Sequence, residues 1–278
     1  MNLRKLKNSL FFSLSILCAG IGLIVLASIL WTLISEGLKG INFALFTEVT
    51  PGPGSEGGLK NAFIGSLYMT FLGIAIATPI GLLAGTWLAE KSPNHAGAQL
   101  IRFLNNMLVS APSILVGLFV YALIVVPTGG YSGWAGTVAL AILALPTIIA
   151  STEEMLRLVP VSLKEAGRGL GAANWIVLIH LCYRAVAPGI VTAILLSLAR
   201  IAGETAPLLF TALNSNFMSS SMSSPMANLP VTIYQYAMSP YESWQQLAWS
   251  GALVITLFIL LINLSATHLP KLLSVKRK

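Results

Sequence analysis

Charge is what this chain has least of: only 9% of its 278 residues are Asp, Glu, Lys or Arg. Cysteine is nearly absent as well. Cys18 and Cys182 are the only two, in different hydrophobic runs, so no disulfide scaffold is expected. The three histidines, His95, His180 and His268, are scattered without metal-ligand spacing. No Gly-x-x-x-x-Gly-Lys-Ser/Thr loop occurs, so nucleotide binding by that route is excluded. No nucleophile–base–acid constellation occurs either, and the chain is not expected to be an enzyme or to carry a cofactor of its own. The hydrophobic runs lack period-two alternation, which argues against barrel strands, and no internal repeat is visible.

Apolar sequence fills the space those absences leave. Hydrophobic residues make up 56% of the chain and the mean hydropathy is +0.82. Six runs, 9–33, 61–89, 101–126, 134–151, 187–213 and 247–267, are long enough to cross a hydrocarbon core of about 30 Å as helices. The fold class expected is therefore all-α and integral to a membrane. The first run is too long for the core of a cleaved signal, and Leu17 stands where a lipoprotein-type Cys18 would need a small residue.

Basic residues set the orientation. Arg4, Lys5 and Lys7 precede the first run, and Lys91 and Arg102 flank the second connection. Arg157, Lys164, Arg168 and Arg184 fill the fourth, and Lys271, Lys276, Arg277 and Lys278 the tail. The outward connections hold only Lys39 and Lys60. Both termini are thus expected in the cytoplasm. The net charge of +7 reflects this pattern and attraction to anionic lipid, not a nucleic-acid footprint. Trp31, Trp87, Trp134 and Trp249 fall near run ends, as interfacial anchors do.

Two regions are expected. Residues 1–58 hold the first helix and a Gly/Pro-rich outer segment with Thr50-Pro51-Gly52-Pro53-Gly54; residues 59–278 form a five-helix core. In the long fifth connection, 229–238 reads as a short helix.

Arg200 and Glu204 interrupt an otherwise apolar run. A charged side chain at the centre of a span costs about 2.5–3.5 kcal/mol on insertion scales. Two of opposite sign, four apart on a helix, share a face and neutralise each other. Ionisable groups so placed mark a translocation path, and an arginine fork suits a tetrahedral oxyanion. Gly203, Thr205 and Pro207 loosen the helix there. The competing reading is that the pair only bridges this helix to a partner subunit.

The inward segment 153–184 is too regular for a passive loop. Pro160 suits a helix start, Ser162-Leu163-Lys164-Glu165 reads as a capping box, and Gly171 suits a left-handed stop. The pattern Glu165-Ala166-Gly167-x-x-x-Gly171, with Leu170 as an apolar tooth, resembles the Glu-Ala-Ala-x-x-x-Gly signature of ABC-importer permeases. The bland alternative is that Glu165 only caps its own helix. Further stretches are similar to phosphate importers of that family. They are Thr78-Pro79-Ile80-Gly81, Leu88-Ala89-Glu90, Ala111-Pro112-Ser113, Ala199-Arg200-Ile201-Ala202-Gly203-Glu204-Thr205-Ala206-Pro207-Leu208 and Leu229-Pro230-Val231-Thr232.

The resemblance implies a type I ABC-importer permease architecture, with a coupling helix near 160–172 that docks on an ATPase subunit. It also implies a second related permease, two ATPases carrying ATP, a periplasmic phosphate-binding protein, and an inner-membrane location. Arg200 and Glu204 would serve transport. Two alternatives stay open: a permease for another oxyanion such as sulfate or molybdate, and an ATPase-independent channel or carrier.

Overall fold

The computed structural model describes residues 3–53, 55–91, 95–219 and 221–275. Lys276, Arg277 and Lys278 of the basic tail, and Gly54 of the outer segment, lie outside the described residues. All regular structure within them is helical. In chain order come α1 (Leu3–Lys39), α2 (Ala44–Thr47), α3 (Lys60–Glu90), α4 (Ala96–Ser110) and α5 (Ser113–Val120). A π-turn, Tyr121–Val125, runs into α6 (Val126–Thr128), followed by α7 (Gly133–Arg157), α8 (Val161–Gly169) and α9 (Asn174–Ile176). A second π-helical stretch, Val177–Tyr183, feeds α10 (Arg184–Ala202), and α11 (Ala206–Thr211), α12 (Leu229–Ala237) and α13 (Glu242–Val275) complete the chain.

Five helices are long and apolar enough to cross a membrane, or six if the bent pair α4–α5 is one span. That bend corrects the expected third run. Instead of one rod over 101–126, α4 and α5 meet at 107°. Pro112 is the cause: it holds the N-cap position of α5 in an extended conformation, and the residue before a proline avoids the helical region. The fifth run is corrected too. It begins earlier, at Asn174, and ends at Ala202 instead of running to 213.

The body is organised around α3 and α7, whose seam is lined by Gly73, Gly81 and Gly85 against Leu140, Ile148 and Thr152. Small residues allow this close approach where lipid offers no hydrophobic driving force between helices. Met69, Leu140, Ile148, Ile201 and Leu208 form the centre of the main core.

The outer segment packs onto this body. Leu45 and Leu59 are buried with Tyr236 and Ala248. Tyr236 stacks on Trp244 at 4.3 Å and its hydroxyl donates to the Pro51 carbonyl at 3.4 Å. Burial pushes the Tyr236 phenol above its ordinary pKa, opposed by its hydrogen bond with Thr50, so it stays a donor at neutral pH. By contrast α1 touches the body only at its C-terminal end. There Ser250 Oγ donates to the Gly37 carbonyl and Gln246 Nε2 to that of Glu36, while Leu10 and Ile24 are each 70% exposed.

Candidate translocation and coupling sites

The apolar run that carries Arg200 does not stay helical past it. Gly203 N–H bonds to the Arg200 carbonyl and Glu204 N–H to that of Ile201, both at 3.3 Å, so the turn tightens to three residues. This overturns the expected same-face pair. The four-residue spacing shares a face only in an uninterrupted α-helix, and no Arg200–Glu204 ion pair forms among the described residues. Arg200 is exposed and Glu204 half-buried. Among the described residues the Arg200 guanidinium has no hydrogen-bond or ion-pair partner.

The roles of the flanking residues also change. Pro207 does not break a helix from inside; it sits in the first turn of α11, where its missing N–H is no loss. The Thr205 hydroxyl caps nothing, but its carbonyl accepts from Leu208 and Leu209 N–H at 3.2 Å each. Gly203 supplies the exposed, side-chain-free joint. Beyond the break, α11 lies against α5, and a Cβ at Gly117 would come within 2.6 Å of Pro207 Cα. The two interrupted spans are thus packed directly on one another.

Ser66 and Thr70 line an apolar crevice of ≈ 180 Å³ beside Ala202. Ser66 Oγ accepts from Leu229 N–H at 2.7 Å and so fixes the start of α12. With no charged group in its walls, that crevice suits hydrocarbon and not an oxyanion.

At the other end of the bundle, α8 presents two faces. On the inner one, Gly167 is buried, and a Cβ there would meet Leu181 Cδ1 at 2.8 Å and Val177 Cγ2 at 3.0 Å. Lys164 Nζ lies 2.6 Å from Glu90 Oε1 and Arg168 Nη2 4.0 Å from Glu90 Oε2, while Arg168 Nε donates to Asn174 Oδ1 at 2.8 Å. On the outer face Glu165, Ala166 and Leu170 are exposed, Leu170 by 89%. The helix closes in a Schellman turn, with Gly171 at φ 82° and Ala172 N–H bonded to the Gly167 carbonyl.

The expected capping box is absent. Ser162 is already inside the helix and makes no cap bond, because the cap position falls on Pro160. Glu165 therefore does not cap its own helix, and its carboxylate has no partner among the described residues. Gly167→Val is expected to destabilise the purified protein by about 1–3 kcal/mol through overpacking, read as a lowered thermal midpoint. An unchanged midpoint would mean that α8 is not seated on this seam.

Sequence reading missed the ionic cluster near the end of α7. Glu153 Oε1 takes both Arg102 Nε and Arg157 Nη2 at 2.8 Å, and Arg102 Nη2 donates to the Leu88 carbonyl at 3.1 Å. In the sequence Arg102 and Arg157 read only as orientation signal. Scarcity was the available clue: with 9 acidic residues in the chain, an acid near the end of an apolar helix needs a reason. Among the described residues, no group of His, Cys, Asp and Glu could hold a metal.

Several membrane-crossing helices, one interrupted at an unpartnered arginine, and a short helix presented beyond the bundle define a polytopic transport permease. The chain belongs to the family of binding-protein-dependent transport system inner membrane components, which matches residues 77–275. It is 52% identical to the phosphate transport system permease protein PstA of Pasteurella multocida, covering 95% of this chain and 94% of that one. The likeness to the PstA of Haemophilus influenzae is also 52%, over 94% and 93%. A probable phosphate permease of Methanocaldococcus jannaschii is 35% identical over 94% and 92%.

Among solved structures, an inward-facing MetNI methionine ABC transporter aligns with TM-score 0.62 and 22% identity, covering 76% of this chain and 94% of that one. A bacterial alginate ABC transporter, in complex with an alginate-bound periplasmic protein, aligns with TM-score 0.68 and 12% identity over 95% of both chains. These two show the fold, the all-α architecture of an ABC-importer permease; the family and the relatives named as permeases make the chain a membrane permease subunit.

Proposed function

We propose that this chain is the phosphate-conducting permease subunit of an ATP-driven importer and forms half of the translocation path. The observation that carries it is the exposed Arg200 guanidinium, unpartnered among the described residues, at an interruption of a membrane helix. A permanently charged planar fork there can replace water around a tetrahedral oxyanion. The relatives named as phosphate permeases support phosphate as that anion.

The other half of the path comes from a second, related permease. A periplasmic phosphate-binding protein delivers solute from outside. ATP is bound by two ATPase subunits below, with no cofactor on this chain. The protein sits in the bacterial inner membrane with both termini cytoplasmic. Glu165, Ala166, Leu170 and the Gly171 turn form the face of α8 that meets an ATPase, and Gly167 seats that face. At the gate, Gly203 is the joint. With the path closed, Glu204 swings onto Arg200 as its counter-ion; arriving phosphate displaces the carboxylate, and the two part as they stand here.

The test is uptake of labelled phosphate in cells lacking this chain, with its partners present. Restored uptake that excess sulfate leaves unchanged is the expected result. Restoration that sulfate or molybdate suppresses would transfer the reading to another oxyanion.

A further inference from the structure

Glu90 is the last residue of α3, a poor place for an acid, because the helix dipole puts partial negative charge at that end. What compensates is α8: Lys164 and Arg168, one turn apart, both face this carboxylate, at 2.6 Å and 4.0 Å. Lys164 is 15% exposed and Glu90 36%, so the contact is shielded more than a solvated surface pair would be. The Leu88 carbonyl, on the same last turn, is held by Arg102.

The opposite end of α3 carries an equally specific clamp. Asn61 is 3% exposed. Its Oδ1 accepts from Thr50 N–H at 3.0 Å, and its Nδ2 donates to Thr50 Oγ1 and to the Ser215 carbonyl, both at 2.8 Å. Ser215 lies in the loop that follows α11, the short helix just past the Arg200–Glu204 interruption. Leu213 in that loop is the one described non-glycine residue at positive φ, 58°, and Asn228 Nδ2 bonds its carbonyl at 3.2 Å.

From Asn61 to Glu90 an unbroken helix spans about 44 Å at 1.5 Å per residue. Pro79 lies within it but leaves it continuous, and the small-residue seam holds it against α7.

We propose that Glu90 and Asn61 are positioning residues at the two ends of a strut, α3, which carries displacement of α8 to the outer loop behind the broken span. Neither touches solute. Glu90 fixes where α8 sits relative to the bundle, and Asn61 fixes where the loop at 213–219 sits relative to the same helix. The inference rests on the reading of α8 as the ATPase contact.

The experiment uses the whole importer, with its ATPases and binding protein, in proteoliposomes. It compares wild type, Glu90→Gln, Asn61→Ala and the exchanged pair Glu90→Lys/Lys164→Glu. Phosphate moved per ATP and the stimulation of hydrolysis by phosphate-loaded binding protein are read together. Glu90→Gln and Asn61→Ala are each expected to keep basal ATP hydrolysis within about twofold of wild type while losing at least about fivefold in both coupling readouts. The exchanged pair is expected to recover at least half of the wild-type ratio. Wild-type coupling in Glu90→Gln, or a deficit that the exchange leaves uncorrected, would overturn the role of Glu90. Wild-type coupling in Asn61→Ala would overturn the strut. A wild-type importer whose hydrolysis ignores the loaded binding protein would instead bring down the coupling reading of α8, and this inference with it.

Discussion

Arg200→Gln is expected to lower phosphate uptake about 30- to 150-fold with the protein still at its normal level in the membrane. A charge-assisted fork of hydrogen bonds to an oxyanion contributes about 2–3 kcal/mol beyond what a neutral amide provides, which converts to that range. The substitution leaves the helix itself undisturbed, since glutamine and arginine have similar helix propensity. Among the described residues the Arg200 guanidinium has no hydrogen bond or ion pair that its loss would sever. Arg200→Lys keeps the charge but not the fork and should fall between the two. Uptake by the glutamine variant at wild-type rate would remove Arg200 from the path. Disappearance of the assembled importer from the membrane would make the arginine a bridge between subunits.

Gly117→Val should have an effect of comparable size for a different reason. A Cβ at residue 117 would stand 2.6 Å from Pro207 Cα and 3.1 Å from the Pro207 carbonyl oxygen. Both are backbone atoms, so no side-chain rotation relieves the clash; α11 must move away from α5. Overpacking of this kind costs about 1–3 kcal/mol. The displaced segment starts two residues after Glu204, so the gate proposed there moves with it. Uptake should fall at least about tenfold, with a lowered thermal midpoint. Gly130→Ala is the matched control, since nothing lies within 4 Å of a Cβ there, and it should stay within about twofold of wild type. If Gly117→Val transports normally, the packing of the two broken spans is not what positions the gate.

Hydropathy and charge made the number and type of the helices legible, because the bilayer forces backbone pairing within each segment. The α3 limits fall within one residue of the expected run, and α12 stands where a short helix was expected. Interruptions were harder to read. Ala111-Pro112 and Gly203 through Pro207 carry the signals of a stop, but an apolar window averages over them. A proline in a span bends it, opens it or starts a new helix depending on what packs beside it. For Pro207 that neighbour is Gly117, ninety residues away in the chain.

The same limit governed the sites. The short helix α8 was legible through Gly171, whose left-handed turn is local. The capping box was misread because the helix begins two residues earlier than a Ser162 cap requires. Arg200 and Glu204 stood out as charges among apolar neighbours, but their pairing was inferred from a helical period that Gly203 interrupts. Glu90 with Lys164, and Arg102 with Glu153, join residues far apart in sequence. Only the fold brings them together.

The most direct measurement is accumulation of labelled phosphate in proteoliposomes that contain the purified importer, with ATP and binding protein each supplied or withheld. Accumulation above the external concentration only when both are present, with labelled sulfate excluded under the same conditions, is the predicted result. Phosphate entry that proceeds without ATP would contradict the account and make this chain part of a channel or carrier.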